Sequence, residues 1–268
     1  MSDRDGVRAG SPLGEAARAR TPIVLVAHGS RDPRAAAATR ALVRAVAAAR
    51  PGVEVRASYL DHTLPRPAQV LGALESAGHQ RATLVPLLLT EAFHGRVDIP
   101  GAVAAARADG LRMPVVVSDV LGPRVGGEVD ALLLAGLRRR LCAAGAGFDA
   151  VVLAAAGTRD PAARRTVEHA AAALGASLGL PCRVAYASAA PPTAGEAVAE
   201  LRRRGARRVG MATYFLAPGL LYEAAAASAR AAGAVAVADP LEGAPEIAEL
   251  VLARVAATEP WVTVSRAA

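Results

Sequence analysis

The chain has 268 residues, 53% hydrophobic and 21% charged, which is enough apolar material for a core and too much for a disordered chain; at roughly 150 residues per domain it holds two domains or one large α/β domain. Its 31 basic residues, all Arg, outnumber 24 acidic ones for a net charge of +7, which favours acidic partners. Aromatics at 3% and the lack of a zinc-finger, RNA-recognition or basic-zipper signature argue against nucleic acid.

The all-Arg, Ala-rich composition reads as coding bias rather than function. Cys142 and Cys182 lie far apart and in no C-x-x-C pair, which argues against a disulfide scaffold, a structural zinc site or an iron–sulfur motif. Residues 1–21 are polar and Arg-bearing, and read as a disordered tail rather than a signal peptide. No apolar run reaches the roughly 18 residues of a membrane span. These features together predict a cytoplasmic protein.

In chain order, residues 23–27 form a short β-branched run and predict a strand. Residues 34–50 carry Leu42, Val43 and Val46 at helical spacing, and Pro51-Gly52 stops that helix. A strand at 53–60, a helix at 66–77 and a continuously apolar strand at 82–89 follow; the last suits a sheet buried on both faces. A helix at 99–108, a strand at 115–118 and a helix at 129–143 complete the first half. The pattern then restarts, with strands at 150–155, 182–187, 208–216 and 235–238 and helices at 162–178, 194–204, 221–232 and 244–256. Strict βα alternation predicts an α/β fold with parallel sheets, helices on both faces and right-handed crossovers.

The restart is an internal repeat. His28-Gly-Ser-Arg-Asp-Pro33 aligns with Ala156-Gly-Thr-Arg-Asp-Pro161 at an offset of 128. The segments beginning at Tyr59 and Leu84 align with those beginning at Tyr186 and Met211 at an offset of 127. Duplication follows: two similar doubly wound parallel-sheet domains at 22–144 and 149–258, a Gly-rich linker at 143–148 and a C-terminal tail at 259–268.

In such sheets ligands sit at the carboxyl ends of the strands. There the first half carries His28, then Asp61 and His62, then Glu91 and His94. Asp61 follows His28 by 33 residues, and His94 follows Asp61 by 33, one βα unit each. One histidine after a strand is ordinarily a hydrogen-bonding loop residue; three such groups at matched strand ends suit an open site for a divalent first-row metal. His62 and Glu91 are additional candidates or plain surface residues. His79 and His169 lie in helical surroundings and read as structural. The second copy acts as a control: Ala156, Ser188 and Leu221 replace His28, Asp61 and His94, while the neighbouring Gly, Arg, Asp and Pro persist. A function located in the first half is expected, with the second half completing a cleft. Asp32 and Asp160 are expected to cap helices before Pro33 and Pro161. Ser30, Arg31 and Arg96 are candidates for binding an acidic substrate. The clusters 138–140 and 202–204 read as solvated arginines near helix ends.

Val24-Leu-Val-Ala-His28-Gly-Ser-Arg-Asp-Pro33, Tyr59-Leu-Asp61-His and Pro86-Leu-Leu-Leu-Thr-Glu-Ala-Phe-His94-Gly-Arg-Val-Asp-Ile-Pro100 resemble the signatures of the sirohydrochlorin chelatases, in their long, two-domain form. Thr213-Tyr-Phe-Leu-Ala-Pro-Gly-Leu-Leu221 resembles the degenerate repeat of that form, and the likeness runs over residues 22–257. The resemblance implies a chelatase-like fold and ATP-independent insertion of a divalent metal into sirohydrochlorin, a tetrapyrrole with eight carboxylates; Co²⁺, Fe²⁺ and Ni²⁺ all suit a site of nitrogen and oxygen donors. It implies His28 and His94 as the catalytic, metal-handling histidines, and Asp61 as a third ligand where many members carry Glu. The pathway would be siroheme or cobalamin synthesis. No iron–sulfur cluster is expected, because the matching cysteines are missing. Neither nucleic acid nor membrane is an expected partner, and the chain is expected to be a monomer or weak homo-oligomer. A non-catalytic metal or tetrapyrrole carrier is the alternative. A histidine phosphatase ranks low, since Ala27 rather than Arg precedes His28-Gly.

Overall fold

The structure is a computed structural model and describes residues 20–90 and 98–258. The first half runs β1 (Ile23–Ala27), α1 (Pro33–Ala49), β2 (Val55–Tyr59), α2 (Pro67–Ser76), β3 (Ala82–Pro86), α3 (Ile99–Ala108), β4 (Val115–Val117) and α4 (Ala131–Ala144). The second runs β5 (Ala150–Ala155), α5 (Pro161–Leu178), β6 (Cys182–Tyr186), α6 (Ala194–Arg203), β7 (Val209–Tyr214), α7 (Leu220–Ala231), β8 (Ala236–Val237) and α8 (Pro245–Ala256). Each half holds one four-stranded parallel sheet, ordered β2-β1-β3-β4 and β6-β5-β7-β8. The fold is the duplicated, chelatase-like α/β fold that the sequence predicts. Among the described residues no helix is long and apolar enough to cross a membrane.

The central strands β1 and β5 are buried almost throughout, because parallel strands covered by helices on both faces leave no wet side. Asp32 accepts from the Arg34 amide and Asp160 from those of Ala162 and Ala163, so both cap their helices, with proline in the first turn. β3 ends at Pro86, short of the expected 89. The apolar run continues because Leu87, Leu88 and Leu89 line a cleft, and not because the strand does. His79 is 6% exposed and bonds Glu54 at 2.9 Å, the structural role expected of it.

The halves are interleaved. Helix α4 packs against β7, β8 and α5 of the second half, and α8 packs against α1 and β3 of the first. The apolar stripe of α4, Leu133, Leu137 and Leu141, therefore joins a single core containing Ile23 and Leu25 of one sheet and Val151 and Leu153 of the other. Arg254 of α8 reaches back to the carbonyls of Val120 and Leu121 at 2.9 and 3.2 Å and to Asp130 at 3.1 Å. Arg139 bonds Glu246 at 2.7 Å and Arg140 the Leu241 carbonyl at 3.0 Å. Arg138 and Arg139 are exposed as expected and Arg140 is half-buried; because α4 crosses to α8, Arg139 and Arg140 also bond across the joint between the halves.

Candidate active site

The carboxyl ends of both sheets open on one cleft of about 970 Å³, lined from both halves. Its walls are mostly apolar, with Leu42, Leu87, Leu89, Val167 and Leu216 joined by Tyr59, Tyr186, Tyr214 and Phe215. Tyr214 donates its hydroxyl to the Leu89 carbonyl at 3.0 Å and so ties one half to the other inside the cleft. Complete burial raises its phenol well above the ordinary value, which keeps it a neutral donor. Burial likewise pushes Tyr186 up to about 12, and its buried hydroxyl has no hydrogen-bond partner among the described residues. These aromatic residues escape sequence reasoning because they look like the last core positions of their strands.

His28 follows β1 directly, is half-buried and lines the cleft. The main-chain oxygen of His28 accepts from the Asp61 amide at 2.7 Å, which holds the two strand-end loops together. Gly29 makes that approach sterically feasible: its φ is +95°, and a Cβ there would lie 1.8 Å from the Asp61 carbonyl oxygen. Gly157 repeats this at φ +94°, with Ser188 in place of Asp61.

Asp61 and His62 stand beside His28. The His28 and His62 rings lie 6.4 Å apart, tilted by 45°. The Asp61 carboxylate accepts from the His62 amide at 2.7 Å and lies 3.4 Å from His62 Nε2 and 3.7 Å from Arg66. The amide bond, then the nearby charges of His62, Arg66 and His28, hold its carboxyl below the usual range against slight desolvation, so it is ionised at neutral pH. His62 has a left-handed φ of 57°, matched by 66° at Ala189. The loop's shape therefore imposes that strain in both halves, independently of the imidazole.

Among the described residues no group of three His, Cys, Asp or Glu is assembled closely enough to hold a metal ion. The structure sets His28, Asp61 and His62 on neighbouring strand-end loops, where His28 lines the cleft and Asp61 and His62 do not; His94, Glu91 and Arg96 lie outside the described residues. Ser30 lines the cleft, and its hydroxyl accepts from the Asp32 amide at 3.0 Å. Arg31 is exposed and does not line the cleft, whereas its repeat Arg159 does. In the second half Ser188 donates its hydroxyl to the Ala156 carbonyl at 2.8 Å, and Leu221 lines the cleft.

A family model described as CbiX matches residues 22–135 and 150–258, one match in each half. The chain is similar to solved structures of SirB from Bacillus subtilis with Fe³⁺, at 22% identity, TM-score 0.75 and coverage of 88% of this chain and 94% of that one. It is similar to the sirohydrochlorin chelatase SirB from Bacillus subtilis subspecies spizizenii in complex with cobalt, at 21% identity, TM-score 0.71 and the same coverages of 88% and 94%. It is also similar to CbiX, the terminal enzyme for siroheme biosynthesis in denitrifying bacteria, at 20% identity, TM-score 0.62 and coverage of 89% and 100%. No curated protein matches the chain.

Proposed function

The chain belongs to the CbiX family, and from that premise we propose that it is a sirohydrochlorin chelatase, a lyase that inserts Co²⁺ or Fe²⁺ into sirohydrochlorin without ATP. The observation that carries this reading is His28 in the wall of an apolar cleft of about 970 Å³, a space suited to a flat macrocycle. The neighbouring structures named with iron and with cobalt support the choice of metals; Ni²⁺ suits the same donors. The product would serve siroheme or cobalamin synthesis in the cytoplasm. Residues 22–144 and 149–258 are the two functional units, with the chain a monomer or weak homo-oligomer that binds no nucleic acid.

Insertion exchanges one divalent ion for two pyrrole protons, so charge and electrons balance without a redox partner. A neutral imidazole can hold the ion or take a proton near neutral pH, and His28 and His94 are assigned these tasks. Asp61, ionised beside His28, offsets the ion's charge, and His62 or Glu91 supplements it. A site left open can release the ion to the ring, which a closed four-ligand site would resist. The cleft contributes by holding the ring face-on to the donors.

The test uses purified protein at limiting concentration, metal-free sirohydrochlorin and Co²⁺ or Fe²⁺ without oxygen, followed by absorbance. Many turnovers per chain are expected. Stoichiometric binding without turnover would overturn the enzyme in favour of a carrier.

A further inference from the structure

Each half opens the helix after its first strand with the same turn, Gly29-Ser30-Arg31-Asp32-Pro33 and Gly157-Thr158-Arg159-Asp160-Pro161. Its internal bonds are conserved between copies: the Ser30 hydroxyl accepts from the Asp32 amide at 3.0 Å, and the Thr158 hydroxyl from the Asp160 amide at 3.1 Å. Gly, Ser/Thr, Asp and Pro each have a structural task in this turn. The arginine has none. Arg159 is exposed and has no hydrogen-bond or ion-pair partner among the described residues. It directly precedes the cap of α5, where the positive end of the helix dipole disfavours a cation. It nevertheless lines the cleft. Of the carboxylates that also line the cleft, Asp160 caps α5 and Glu242 lies 3.8 Å from Arg140.

The duplicated copy has thus lost the imidazoles and the acid and kept a cation facing the shared space. We propose that Arg159 holds a carboxylate of a polyanionic ligand in the cleft, so that the second half anchors the ligand's rim while the first handles the metal. The inference rests on the chelatase reading for the ligand class, a polycarboxylate tetrapyrrole. A guanidinium suits the task, since its planar fork meets a carboxylate through two parallel hydrogen bonds.

The probe is uroporphyrin, an octacarboxylate porphyrin, titrated into the full chain by fluorescence. R159Q is expected to weaken binding about tenfold, which corresponds to about 1.4 kcal/mol. R159K should recover part of the loss, because it keeps the charge without the fork. Raising salt from about 0.05 to about 0.5 M should shrink the gap between wild type and R159Q, which a merely structural role would not do. Arg204, which pairs with Glu200 at 2.6 Å, supplies the control R204Q, expected to bind like wild type. R159Q binding within twofold of wild type, or equally weak binding by R159K and R159Q with no salt effect, would overturn the assignment of Arg159 alone. Failure of wild type to bind uroporphyrin would overturn it together with the tetrapyrrole reading.

Discussion

The amide of Asp61 donates to the main-chain oxygen of His28 at 2.7 Å, so backbone rather than side chains sets the spacing between the acid and the imidazole. The carboxylate is 56% exposed and is free to change without moving the loop. Asp61→Asn is expected to lower insertion about 10²-fold while leaving thermal stability within about 0.5 kcal/mol of wild type. Parallel turnover assays and melting curves check both halves of that expectation.

His28→Ala removes a half-buried ring that lines the cleft. It should abolish most insertion, by about 10³-fold or more, with the fold intact by circular dichroism. Leu221→Ala, at the position equivalent to His94, should change the rate less than about threefold. Equal losses in the two variants would show that the halves share the metal chemistry.

Acid should weaken the protein partly through Glu54. Burial alone would raise its carboxyl, but hydrogen bonds from His79 and Arg56 outweigh that and lower it from its ordinary 4.5. A carboxylate lowered in the folded state contributes stability above its unfolded value and loses it as pH falls through the folded value. Glu54→Gln should therefore lower the melting temperature at pH 7, with the difference from wild type fading below about pH 4. A difference independent of pH would show that charge at Glu54 is immaterial.

Arg254 makes three bonds from α8 into the first half, to Val120, Leu121 and Asp130. Arg254→Ala should cost about 2–3 kcal/mol, because it leaves two carbonyls and a half-buried carboxylate short of a donor. Arg254→Lys should recover little, since one ammonium cannot span three acceptors. Urea denaturation with unchanged slope is the measurement.

Most element boundaries were legible because βα alternation, proline at helix starts and continuous apolar strands are local signals. The strand ends carrying His28 and Asp61 followed from the same signals, and the duplication exposed which residues the second copy had lost. The exchange of α4 and α8 was not legible: amphipathic spacing marks the apolar face of Leu133, Leu137 and Leu141 but not the sheet it covers. That exchange also hid the crossing contacts of Arg139 and Arg140. The run at 82–89 read as one strand because cleft-lining and core leucines carry the same apolar signal. The cleft position of Arg159 depends on how two distant halves are set against each other, which the repeat does not encode.

Because each half's last helix lies on its neighbour's sheet, the two walls cannot swing apart like a clamshell without tearing Leu133, Leu137 and Leu141 from their shared packing. On the chelatase reading, a macrocycle would meet a gap whose width this shared packing sets, and would be expected to slide in edgewise rather than be gripped by closure of the halves.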